Sequence, residues 1–152
     1  MMRSTETIKF CFTHYDDIKR EVEAKRLDSC TPKSGGGNGH CRISDPTAIK
    51  AIRNVLEVDC VCIEYGLRVG SNRELFTLHH PEAWLRVVDV TTAHFHGKLQ
   101  GEIALQLRKG ADYREIIAKL CVGRSVYYIL LNDMLSFAEG VAVGKGLIPP
   151  KK

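Results

Sequence analysis

The side chains whose spacing could do chemistry lie close together in the C-terminal third: Arg114, Lys119, Arg124, Ser125, Tyr128, Ile129 and Asn132. An arginine can pair with guanine or with a phosphate, and Ser and Tyr hydroxyls commonly hold phosphate oxygens. The other reactive groups are six cysteines (Cys11, Cys30, Cys41, Cys60, Cys62 and Cys121) and six histidines. A zinc site wants close pairs, usually Cys-x-x-Cys or His-x-x-x-His. The chain offers only Cys60-x-Cys62, His40-Cys41, His79-His80 and His94-x-His96, so no metal or other cofactor is expected. In a cytosolic chain the cysteines read as free thiols acting as small apolar residues. His94 and His96 fall on different faces of a helix and the remaining histidines are scattered. With no nucleophile, base and acid set in view, the chain is not expected to be an enzyme.

The charge is unevenly spread. The net +4 sits in the C-terminal third, where nine basic residues between Lys98 and Lys152 face five acidic ones. Residues 1–97 are balanced at thirteen of each. This excess is compatible with a polyanion partner. A content of 44% hydrophobic and 26% charged residues is ordinary for a globular chain, and 152 residues suffice for one domain or two small ones. No run approaches the roughly 18 apolar residues of a membrane span. The start, Met1-Met2-Arg3-Ser4-Thr5-Glu6, lacks the apolar segment of a secretory signal. The expectation is a cytoplasmic protein without a membrane partner.

The elements that must position these residues read as helices. Ile8, Cys11, Tyr15, Ile18 and Val22 follow helical spacing, with Asp16, Asp17, Lys19, Arg20, Glu23 and Arg26 opposite, which predicts a helix over about 13–27. A glycine-rich loop follows at 29–44. It is not a phosphate-binding loop, because no strand precedes it and no Gly-Lys-Ser/Thr closes it. Ser44 or Asp45 can cap a second helix with Pro46 at its first position, and Ile49, Ile52, Leu56 and Ile63 share a face. Residues 1–78 thus read as a helical hairpin, which could pair with itself or with a second copy in a homodimer. Residues 79–152 read as a second helical domain. His80-Pro81-Glu82 opens a middle helix with Leu85, Val88, Thr92, Phe95 and Leu99 in step, and a short helix over about 102–109 ends at Gly110. Nothing alternates long enough to demand a sheet, so the expected fold class is all-α.

The segment 112–137 reads as a helix-turn-helix. Asp112-Tyr113-Arg114-Glu115 has the form of a capping box. A helix from Tyr113 to Leu120, a turn at Cys121-Val122-Gly123 and a helix from Arg124 to about Phe137 give the layout that docks on DNA. Ile116, Leu120, Val122, Tyr127 and Leu130 fall where the helices bury against each other. Arg114, Lys119, Arg124, Ser125, Tyr128, Ile129 and Asn132 are left outside, with Arg124, Ser125 and Tyr128 at the end that enters the major groove. Two positions are atypical: Ile117 stands where a small residue is usual, and Cys121 where a glycine is usual. The competing expectation is two packed helices that make no contact with nucleic acid.

Three segments in order carry a family resemblance. They are Ser44-Asp45-Pro46-Thr47-Ala48 after the glycine-rich loop, Pro81-Glu82-Ala83-Trp84-Leu85, and Asp112 through Leu120 continuing as Val122-Gly123-Arg124-Ser125-Val126-Tyr127-Tyr128. Together they resemble small phage- and prophage-encoded proteins related to sigma-70 region 4, the ArpU- and RinA-type late transcription regulators. The resemblance implies sequence-specific binding of double-stranded DNA in transcription control, without catalysis. It places the DNA-reading helix on Arg124, Ser125, Tyr128, Ile129 and Asn132. In such proteins Gly123 would more often be Ser, a hydroxyl able to cap that helix. The alternative is a helical adaptor that binds RNA polymerase or another phage protein without touching DNA.

Overall fold

A computed structural model describes residues 4–30, 47, 51, 57–65 and 74–150. Among these, six helices and one two-stranded sheet appear in the order α1 (Ser4–Thr13), α2 (Tyr15–Cys30), β1 (Cys60–Tyr65), β2 (Glu74–His79), α3 (Pro81–His94), α4 (Leu99–Arg108), α5 (Tyr113–Leu120) and α6 (Arg124–Gly144). The expectation of an all-α chain holds in part, since the chain is mainly helical. The expectation of no sheet does not, because β1 and β2 pair antiparallel from Cys60 opposite His79 to Tyr65 opposite Glu74.

The chain forms two compact units, residues 1–19 with 82–152 and residues 20–81. In the smaller unit Val61, Ile63 and Leu78 are buried, while Cys62, Glu64 and Thr77 are exposed. That alternation is the period of two that a half-buried sheet requires. Ile63 therefore belongs to a strand and not to the helix face that its spacing from Ile49 suggests. His80 N–H donates to the Asp59 carbonyl at 2.8 Å and closes the hairpin end. Lys25 Nζ donates to the Cys60 carbonyl at 2.6 Å. Of the expected second helix only Thr47 and Ala51 are described, both helical. The remainder, and residues 31–46 of the glycine-rich loop, lie outside the described residues, whereas Ser29 and Cys30 still belong to α2.

The larger unit is built around α1, α4 and α6. Helix α1 packs on α4 and α6, and α4 also packs on α5 and α6. The helix expected from about residue 13 begins at Ser4 and is interrupted at His14, although His14 N–H still reaches the Phe10 carbonyl at 2.9 Å. Ile8, Cys11, Tyr15 and Ile18 are buried here, and Val22, in the smaller unit, is buried as well, as their spacing required. Phe10 and Phe12 are buried as well, so α1 is apolar on more than one side. Tyr15 donates to Asp89 Oδ1 at 2.7 Å, and the Arg108 guanidinium lies 3.8 Å from the Tyr15 ring centroid while pairing with Asp16 at 2.8 Å.

The expected middle helix is divided. Helix α3 ends at His94, Gly97 takes a left-handed φ of 75°, and α4 starts at Leu99, which is exposed. Gly101 explains the close join, since a methyl there would overlap the Phe95 carbonyl. His94 stacks on Phe137 with centroids 4.0 Å apart, which ties the end of α3 to the middle of α6. Helix α6 runs seven residues past Phe137, and the tail beyond it is held: Leu147 N–H donates to the Ala142 carbonyl and Ile148 is buried. By length and composition α6 is apolar enough to cross a membrane. Asn132, Asp133 and Glu139 interrupt it, and Tyr127, Leu131, Met134, Leu135, Ala138 and Ala142 are buried in the fold.

Candidate nucleic-acid interface

Local rules fix where α5 begins. Asp112 accepts from Tyr113 N–H at 2.8 Å, and Glu115 Oε2 accepts from Asp112 N–H at 3.3 Å, so the capping box is complete. Both carboxylates are thereby turned toward backbone donors. The helix stops at Cys121, which holds a left-handed φ of 52° and donates its N–H to the Ile117 carbonyl. A glycine adopts that conformation without strain, which is why a non-glycine looks out of place there. Val122 and Gly123 complete the turn. Gly123 is the N-cap of α6 and supplies no side chain to the first N–H groups of that helix.

The two faces of this segment separate by polarity. Ile116 and Tyr127 are buried, at 0% and 2% exposure, while Leu120, Val122 and Leu130 are half-buried. Burial raises the Tyr127 hydroxyl above its ordinary range, with the neighbouring Tyr128 and Asp112 adding to the effect. Arg114, Lys119, Arg124, Ser125, Tyr128, Ile129 and Asn132 are all exposed. Ile117 is half-buried.

Some of these side chains are gathered around Tyr113. The Arg114 guanidinium lies 5.7 Å from the Tyr113 ring centroid and that of Arg124 lies 5.8 Å from it. Arg124 is also 5.8 Å from the Tyr128 ring, and Arg114 Nε donates to the Tyr113 hydroxyl at 3.1 Å. One aromatic ring thus holds an arginine from each side of the turn, at distances where the ring quadrupole still attracts a cation. Among the described residues, Arg114, Lys119 and Arg124 enter no ion pair. Lys119 is exposed in the last turn of α5, outside the aromatic group. Asp133, the first acid along α6, accepts from Gln100 at 2.9 Å.

Sequence reasoning missed Tyr113 as a member of the site. It was visible only as the first residue after a cap, and its contact with Arg124 crosses a turn that no local spacing rule describes.

The cysteines do other things. Cys11 is buried, Cys60 and Cys62 lie in β1, and Cys121 ends α5; all four are free thiols. Among the described residues no three of His, Cys, Asp and Glu gather closely enough to hold a metal ion. The side chain of Cys30, and Cys41 altogether, lie outside the described residues. Comparison with known protein families, with characterised proteins and with solved structures finds no match to this chain.

Proposed function

We propose that this chain is a transcription regulator of phage or prophage type that binds double-stranded DNA through a helix-turn-helix made of α5, the turn 121–123 and the start of α6. The observation that carries this is the joint exposure of Arg114, Arg124 and Tyr128 around the Tyr113 ring, with no carboxylate paired to either arginine among the described residues. A duplex presents a regular row of phosphates, and two unpaired guanidinium groups beside a helix start are suited to it. The first N–H groups of α6, which receive no side-chain cap, add partial positive charge at the same end. The packing of α4 on α5 and on α6 agrees with a three-helix scaffold that presents its last helix to the groove. The protein would work in the cytoplasm and could contact RNA polymerase there. Homodimerisation through the N-terminal helices would have to use residues outside the Ile8–Val22 stripe, which is buried within one chain.

A second reading rests on Ile129, exposed at 67%, and Val126 at 45%, which suit a protein partner as well as a base edge. In it the chain is a helical adaptor with no DNA contact. A fluorescence-anisotropy titration against random-sequence duplexes at low salt separates the two. The DNA reading expects binding that Arg124→Ala weakens about tenfold without change in the melting temperature. Absence of binding at low salt would favour the adaptor.

A further inference from the structure

Once DNA binding through the helix-turn-helix is granted, the outer ridge of α6 has a composition that bears on which bases it reads. The buried side of the helix is Tyr127, Leu131, Met134, Leu135 and Ala138. At about 100° per residue, Ser125, Ile129, Asn132 and Ser136 fall together on the opposite side, with Val126 and Asp133 toward one margin, the Asp133 carboxylate accepting from Gln100. All six are exposed, and Ile129 at 67% is more exposed than Tyr128 at 40%. An isoleucine so placed buries little of its surface on folding and leaves an apolar side chain open to contact on this ridge. The ridge itself carries no cation. The only basic residue of the first turn is Arg124, drawn aside to the Tyr113 and Tyr128 rings.

In a major groove, guanine is read chiefly by Arg or Lys, adenine by Asn or Gln, and the thymine methyl by apolar contact. With Asp133 engaged by Gln100, the remaining Ile129, Val126 and Asn132 lack the guanine-reading type and include both types that read an A·T pair. The exposed cations Arg114 and Arg124, gathered at Tyr113 beside the start of α6, match the charge of a phosphate row, which selects a duplex over an uncharged apolar partner. We infer that α6 reads A·T pairs, with Ile129 against a thymine C5-methyl group and Asn132 toward adenine, while Arg124 holds backbone phosphate.

The test uses the full chain and two duplex probes. Sequences retained from a random pool are identified, and one is synthesised both with thymine and with uracil, which lacks the C5-methyl group. The retained sequences are expected to share thymine positions. Replacing each contacted thymine by uracil should weaken binding about fourfold, the equivalent of one buried methyl group. Ile129→Ala should shrink the thymine-to-uracil difference at that position to less than about twofold, since alanine keeps only one methyl group to set against the C5-methyl. Its exposed site lets it fold, which an unchanged melting temperature would verify. Arg124→Ala should weaken both duplexes alike and keep their ratio. Binding indifferent to uracil, or a ratio that survives Ile129→Ala, would overturn this assignment and leave the DNA reading standing. No binding to any duplex at low salt would overturn both.

Discussion

Tyr15 shows how one side chain links three helices. Its ring is buried, its hydroxyl donates to Asp89, and the Arg108 guanidinium lies over its face. Burial, then the hydrogen bond and the charge of Asp89, push its hydroxyl from 10.0 to about 12, against the opposing pull of Arg108. Burial alone pushes the Cys11 thiol from 9.0 to about 12. Both groups hold their protons more tightly folded than unfolded, so their contribution is complete below the unfolded values and is lost as pH rises toward the folded ones. The melting temperature should therefore be insensitive to these groups below about pH 9 and fall between about pH 9 and 12. Tyr15→Phe should cost about 1 kcal/mol at neutral pH by leaving Asp89 without its donor, and should make the alkaline decline shallower. Thermal melts of the two proteins across pH check both. An alkaline limb unchanged by Tyr15→Phe would show that other groups cause it.

At the scale of elements, the turn between α5 and α6 carries a cost that one substitution can remove. Cys121 sits in the left-handed region, where a side chain other than glycine is strained. Cys121→Gly should raise stability by about 0.5–1 kcal/mol in denaturant titration, since relief of that strain exceeds the added entropy of the unfolded chain. Gly101→Ala should do the reverse and cost about 1–3 kcal/mol, because the new methyl meets the rigid Phe95 carbonyl at the α3–α4 join. These turns also explain what was legible in the sequence. The capping box, the Asp112 start, the Tyr113–Leu120 span and the outward set from Arg114 to Asn132 follow from rules that act within one or two helical turns. The break at Gly97 was less legible, since Leu99 continues the apolar spacing of α3 although it belongs to α4. The β1–β2 pair was missed because Ile63 also fits a helical face drawn from Ile49, and only pairing with Phe76 across the hairpin decides for a strand. The arginine pair around Tyr113 was beyond any spacing rule, since it depends on how two helices meet across the turn.

Over the whole molecule, charge and apolar surface follow different logic. The N-terminal stripe from Ile8 to Val22 is covered within one chain, while the end of the chain carrying Arg114, Lys119 and Arg124 holds the net positive charge and leaves those cations without ion-pair partners among the described residues. A surface of that kind predicts association governed by counterion release rather than by apolar burial. The most direct measurement is the dissociation constant for a labelled duplex as a function of salt concentration. If the three cations face phosphates, a plot of log affinity against log salt should have a slope near −3, and Arg124→Ala should reduce its magnitude by about one. A slope near zero, or one that Arg124→Ala leaves unchanged, would contradict DNA binding through this face.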